Sequence, residues 1–303
     1  MSTVIIVEPE LENERLDTAL PVLCPEKSRN AFQKLIKDGK VFLNQSVILK
    51  PGMRLTEGDR IEINFPEPVA LSIEPEPMDL DIVYEDSDVI LVNKPKGMVV
   101  HPAAGHYTGT MVNGLLYHCK DLSGINGVLR PGIVHRIDKD TTGIVIACKN
   151  DQAHRSIAAQ LKAHSIRRRY YAIVTGNLKE DEGTIDKPIG RNPSDRKKMA
   201  VVPDGKDAVT HYRVLERFGA YTFIECRLET GRTHQIRVHM ASIGHPLLGD
   251  EVYSKGKSRY ATEGQCLHAY LLGFVHPTSG TYMEFRADLP DYFKKILNDL
   301  RND

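Results

Sequence analysis

The sequence predicts an α+β protein in two unequal parts, and three observations carry that reading. A Pro/Glu-rich stretch, Pro66-Glu67-Pro68 followed by Glu74-Pro75-Glu76-Pro77, interrupts the chain with the composition of a stiff linker. Ahead of it, one amphipathic helix pattern is followed by short alternating strand patterns. Behind it, strand patterns dominate, with helical periodicities inserted among them. Residues 1–75 therefore form a small module with its linker, with a core over about 13–66, and residues 76–303 form the main domain.

In the first part, Ser28 is placed to cap a helix that carries Ala31, Phe32, Leu35 and Ile36 on one face, and Gly39 is its stop. The segments Val41–Asn44 and Asp59–Asn64 alternate as strands do. In the second part, Ile82–Tyr84 and Val89–Val92 flank the turn Asp86-Ser87-Asp88 and predict a hairpin. Asp151–Ile166 has Ala153, Ile157 and Leu161 at fourfold spacing, which predicts an amphipathic helix. Tyr170–Val174, Thr210–Leu215 and Tyr221–Leu228 predict strands. Thr233–Ile243 predicts a helix capped by Thr233 and stopped by Gly244. A last helix from Asp291 aligns Phe293, Ile296, Leu297 and Leu300.

At 303 residues, with 41% hydrophobic and 26% charged residues, the composition is that of a soluble globular protein. Forty basic residues balance forty acidic ones, so any nucleic-acid contact must rest on a local basic face. The five scattered cysteines form no Cys-x-x-Cys pair, which disfavours a disulfide framework or zinc site and fits a reduced, cytoplasmic setting. Neither a signal pattern nor an apolar run of membrane-spanning length is present, so no membrane partner is expected.

The densest chemistry lies in Val134-His135-Arg136-Ile137-Asp138-Lys139-Asp140-Thr141-Thr142-Gly143, directly ahead of the strand-like run Ile144–Ala147. Two carboxylates and three basic or titratable groups at the edge of a buried strand can present reactive atoms at the rim of a rigid sheet. A solvated loop whose charges pair among themselves has the same composition.

Two resemblances bear on that choice. Arg15-Leu16-Asp17, Ser28-Arg29, Ile36, Gly39, Val41, Asn44 and Gly58-Asp59-x-Ile61 resemble an S4 domain, an RNA-binding module. His135-Arg136-Ile137-Asp138-x-Asp140-Thr141-x-Gly143 resembles the catalytic loop of the RluA-type pseudouridine synthases. Asn93-Lys94-Pro95-x-Gly97, Arg168-x-Tyr170-x-Ala172 and the run Thr230–His239 resemble further motifs of that family, in the same order. With the S4 module in front, the architecture is similar to the family's large-subunit ribosomal RNA pseudouridine synthase D branch.

The resemblance implies a pseudouridine synthase fold with a mixed, largely antiparallel sheet. It also implies isomerisation of uridine to pseudouridine in RNA, which requires no cofactor and no metal. The implied partner is RNA, of the 23S ribosomal type or within an assembling large subunit, and the enzyme is expected to be monomeric. Asp138 is the implied catalytic carboxylate, acting either by covalent attack or as a base on the sugar. Arg232 is implied as its bidentate partner, Tyr170 as the platform under the target base, and Arg136 as the group that fills the vacated base stack. Ile236 is placed against the other side of the base or in the core. His135 either meets RNA or hydrogen-bonds the loop backbone. Further RNA contacts are expected from Asn93, Lys94 and Arg29, and from a basic loop containing Lys187, Arg191, Lys197 and Lys198. Arg167-Arg168-Arg169 and Lys255-x-Lys257-x-Arg259 are candidates to extend that surface. Three rivals stand beside this reading: a synthase acting on transfer RNA, an RNA-binding assembly factor without catalysis, and a base-excising glycosidase.

Overall fold

The computed structural model describes residues 2–25, 27–65, 73–103, 106–127, 130–195, 198–254 and 258–303. The chain separates into two compact units, Met1–Ala70 and Leu71–Asp303. The first half of the expected linker, Pro66-Glu67-Pro68, lies outside the described residues. The second half is not a free linker. Asn113 Nδ2 donates to the Glu74 carbonyl at 2.8 Å, and the Glu76 N–H donates to the Asn113 carbonyl at 3.0 Å. Proline there supplies stiffness, but paired backbone groups pin the segment to the larger unit.

The smaller unit orders β1 (Ser2–Ile6), α1 (Leu16–Leu23), α2 (Arg29–Lys37), β2 (Val41–Leu43), β3 (Ser46–Val47) and β4 (Arg60–Asn64). Its sheet runs β1-β4-β2-β3 and, with both helices, encloses Leu16, Leu20, Phe32, Ile36, Val41, Ile61 and Ile63. Ser28 caps α2, accepting from the Ala31 N–H at 3.4 Å, and Gly39 after it takes φ 67°. The sequence reading missed α1, because its first turn has no side-chain cap and Pro21 interrupts its interior.

The larger unit orders β5 (Ile82–Glu85), β6 (Val89–Lys94), α3 (Met111–His118), β7 (Thr142–Cys148), α4 (Asp151–Lys162), β8 (Arg167–Thr175), β9 (Glu182–Asp186), β10 (Ile189–Arg191), β11 (Met199–Val201), β12 (Val209–Arg217), β13 (Tyr221–Leu228), α5 (Gln235–Ser242), β14 (Leu267–Val275), β15 (Tyr282–Arg286) and α6 (Asp291–Asn302). Nine strands make one sheet in the order β5-β6-β7-β14-β8-β13-β12-β9, with β15 added beside β14. Every pairing is antiparallel except β7 with β14. The sheet is mixed and largely antiparallel, as the sequence led one to expect.

Strand alternation sorts side chains onto two faces. Tyr170, Ala172 and Val174 of β8 join Ile224, Cys226 and Leu228 of β13 under α3 and α5. On the opposite face, Val89, Leu91, Ile144 and Ile146 meet Ala153 and Ile157 of α4. Ile173 and Phe223 meet Phe293, Ile296, Leu297 and Leu300 of α6. Each such fully buried aliphatic or aromatic side chain contributes roughly 1.5–3 kcal/mol.

Two expected helix boundaries move. Helix α4 ends at Lys162, because His164 adopts the left-handed conformation at φ 58° and the chain turns into β8. Thr233 does not cap α5. Its N-cap is His234, left-handed at φ 56°, and the Gln235 side chain instead accepts from the Arg232 N–H at 2.9 Å.

Candidate active site

The Val134–Thr141 loop is held from three directions. Lys94 Nζ, fully buried, donates to the carbonyls of Pro95 (2.8 Å), Met98 (2.8 Å) and Lys139 (2.9 Å). Three carbonyls match the three donors of an ammonium. His135 Nε2 accepts the Ile146 N–H at 3.1 Å, and Gln265 Nε2 donates to Thr141 Oγ1 at 3.0 Å. Where the loop enters β7, Gly143 has φ 109°, and a Cβ there would sit 2.2 Å from the Ala269 carbonyl oxygen. Only glycine admits β14 so close, and that contact sets the loop at the sheet's edge.

Asp138 sits in this loop with its side chain 17% exposed, and Oδ2 accepts from Arg237 Nη1 at 3.0 Å. Arg237 also donates through Nε and Nη2 to the two oxygens of Asp250, at 2.6 and 2.9 Å. The Asp250 side chain is fully buried, and its Oδ1 also accepts the Val252 and Tyr253 N–H groups. One guanidinium thus spans two carboxylates. Burial works against its charge, but Asp250 and Asp138 outweigh it and hold the Arg237 pKa above the ordinary arginine value. Arg232, the expected partner, is elsewhere: its Nε donates to the Asp207 carbonyl at 2.8 Å. Arg232 precedes left-handed His234 and spends its Nε on that carbonyl, while Arg237, in the first turn of α5, reaches the carboxylate.

A cavity of about 520 Å³ opens above Asp138. Tyr170, Leu228, Ile236 and Leu267 give it apolar walls, and Arg136, Lys162, Arg168 and Arg232 line it with positive charge. Tyr170 is buried, and that burial raises its pKa, so the phenol stays neutral. Ile236 both lines the cavity and belongs to the core beneath it. Arg136 is exposed and enters no hydrogen bond or ion pair among the described residues, so it is free for a ligand. His234 Nε2 lies 3.8 Å from Asp138 Oδ1, and its Nδ1 is 2.8 Å from the Tyr253 hydroxyl. Burial, against the pull of Asp138, lowers the His234 pKa.

The structure distributes the other expected RNA contacts differently. Lys94 is sealed inside the protein and cannot reach RNA; it positions the loop instead. Burial draws its pKa down to about 7, against the opposing pull of Asp140 and Asp138. His135 spends its acceptor on the backbone, and burial, with Arg168 nearby, depresses its pKa to about 3. Asn93 donates to Asp81 at 2.8 Å and does not line the cavity. In the smaller unit, Arg29 donates to the fully buried Asp17 side chain, as do Arg15 and Gln33. Burial alone would raise the Asp17 pKa, but these donors hold it below the usual carboxylate range.

The expected basic loop is partly a hairpin, with Ile189–Arg191 paired to Met199–Val201. Lys187 is half-buried and Arg191 exposed, while Lys198 Nζ lies 3.8 Å from Asp195. Lys197, Lys255 and Lys257 lie outside the described residues. The Arg167–Arg169 run is no continuous stripe. Arg167 pairs with Glu284 and Arg169 with Glu225 on one sheet face, and Arg168 points to the other. Among the described residues the group with metal-ligand chemistry is Glu85, His118 and Cys119, none of which lines this cavity. Lys149 Nζ already pairs with Glu85 there at 2.7 Å.

Sequence reasoning gave Arg237, Asp250, His234 and Tyr253 no role. Arg237 carried a signal: an arginine between Ile236 and Val238, in a helix whose face must be buried, demands a carboxylate. Asp250, distant along the chain, offered none.

Residues 88–242 match the family described as RNA pseudouridylate synthase, and residues 14–61 match the S4 domain. The chain belongs to the RNA pseudouridylate synthase family and is an isomerase. It is 54% identical to an uncharacterised RNA pseudouridine synthase of Bacillus subtilis, over 98% of this chain and 97% of that one. It is 47% identical to the ribosomal large subunit pseudouridine synthase D of Zymomonas mobilis, over 98% of both chains. Its fold is similar to the solved human RNA pseudouridylate synthase domain containing 4, with a TM-score of 0.58 at 24% identity over 73% of this chain and 92% of that one.

Proposed function

We propose that this enzyme isomerises particular uridines of large-subunit ribosomal RNA, with Asp138 as its essential carboxylate. The observation that carries the reading is a carboxylate, fixed by Arg237, at a cavity sized for a nucleoside and walled by Tyr170 and Ile236. Uridine inside structured RNA must leave its stack to enter, at a cost of a few kcal/mol. Tyr170 offers a face for the extruded base, and unpaired Arg136 at the rim fills the gap left behind. Asp138 then acts on the ribose, by attack at C1′ or by removal of the C2′ proton. The base detaches, turns and rejoins C1′ through C5.

Relatives named ribosomal large subunit pseudouridine synthase D, similar along nearly the whole chain, favour ribosomal over transfer RNA. The S4 unit supplies a second RNA contact. Free RNA or an assembling subunit, a monomeric enzyme and a cytoplasmic setting complete the proposal. No helix among the described residues is long and apolar enough to cross a membrane.

Asp138→Asn tests it. RNA binding should persist while pseudouridine formation vanishes, and near-normal activity would refute the assignment. Mapping pseudouridine in ribosomal and transfer RNA from cells with and without the gene decides the substrate.

A further inference from the structure

Arg168 is 6% exposed, yet among the described residues it forms no ion pair. Its Nη2 donates to the Glu229 carbonyl at 3.0 Å, and its Nε is buried with no acceptor. A buried guanidinium without a counter-charge destabilises a protein unless a ligand completes it. The guanidinium packs against the backbone of Gly231, where a Cβ would lie 2.6 Å from Arg168 Nη1. Arg168 and Tyr170 are two residues apart on β8, on one face, and both line the cavity. A pyrimidine resting on Tyr170 would lie beside this neighbour on the same face of the strand.

We propose that Arg168 is a catalytic residue that donates to a carbonyl oxygen of the extruded uracil and stabilises the anion formed when the glycosidic bond breaks. This rests on the pseudouridine synthase reading of the cavity. When C1′–N1 breaks, its electron pair goes to N1 and spreads over O2 and O4. If Asp138 has attacked C1′, its ester bond later breaks as C5 bonds to C1′. If Asp138 has taken the C2′ proton, that proton returns to C2′ as C5 adds to the C1′–C2′ double bond. In both routes the proton on C5 is lost and N1 gains one, so no oxidant or co-reactant is needed. A cation with several donors can follow the oxygens while the ring turns.

The test compares the wild type with Arg168→Met and Arg168→Gln in the full-length enzyme, under single turnover. The substrates are large-subunit ribosomal RNA transcribed with UTP or with 5-fluoro-UTP. Fluorine makes uracil a better leaving group, so cleavage depends less on outside stabilisation. Consumption of the target nucleoside, read by mass spectrometry after digestion, should fall about 10²–10³-fold on uridine. On 5-fluorouridine the loss should be at least roughly tenfold smaller, with RNA affinity changed less than about threefold. Equal losses on both RNAs, or a loss carried by affinity, would overturn the proposal. Should Met disturb folding, Gln keeps a donor without the charge and must show the same substrate dependence. A wild type that leaves uridine unconverted in this RNA, in assembling large subunits and in transfer RNA would instead overturn the reading of the cavity itself.

Discussion

Replacing Arg237 with Lys, and Arg232 with Lys in parallel, separates two arginines five residues apart in one motif. Arg237 makes three charge-assisted hydrogen bonds, two to Asp250 and one to Asp138, and its side chain is 6% exposed. A lysine ammonium at the same place reaches one carboxylate but cannot span both. If it follows Asp250, Asp138 loses its fixed orientation; if it follows Asp138, a buried carboxylate loses its counter-charge. Removing one partner of a buried pair costs about 3–5 kcal/mol, and lysine recovers part of that, which leaves an expected loss of about 2–4 kcal/mol. Misplacement of the carboxylate should lower kcat by about 10²-fold or more, equivalent to about 2.7 kcal/mol. Arg232→Lys loses one bond to the Asp207 carbonyl, for which about 1 kcal/mol in stability and less than about tenfold in kcat are expected. Urea unfolding and single-turnover pseudouridine formation measure both quantities. Equal defects in the two variants, or a mild effect of Arg237→Lys, would refute the argument that one guanidinium organises the site.

Two further outcomes test the loop that carries Asp138. Lys94→Met strips donors from three carbonyls and should cost about 3 kcal/mol, with faster amide exchange over 137–141; an unchanged unfolding temperature would show that this lysine does not hold the loop. His135 is kept neutral down to about pH 3 in the folded protein, whereas the unfolded chain takes up a proton near pH 6.5. Its contribution is therefore complete above pH 6.5 and is lost as pH falls toward 3, at about 1.4 kcal/mol per unit between the two values. His135→Gln, whose amide oxygen can still accept the Ile146 N–H, should flatten stability against pH over that window, and an unaltered slope would count against it.

What could be read from sequence was local. Phe293, Ile296, Leu297 and Leu300 announced α6 because helical spacing is written into consecutive residues. Alternation along β8 sends Tyr170 and Tyr171 to opposite faces, and Tyr171 stacks on Tyr270 at 3.8 Å on the side away from the cavity. The S4 unit and the Asp138 loop were legible because their motifs are contiguous or closely spaced.

Tertiary structure decided which charges meet. Arg232 and Arg237 lie in the same motif and both line the cavity, yet Arg237 pairs with Asp138 while Arg232 donates to the Asp207 carbonyl. Lys94 reads as a surface cation until two carbonyls of the turn that follows it and one from the distant Asp138 loop close around it. Asp250 becomes part of the site only because the chain after α5 folds back over that helix. A side chain's residue type and periodic position are properties of the chain near it. Its electrostatic partner depends on where distant backbone comes to rest, and a single residue's φ can redirect an entire helix toward or away from that point.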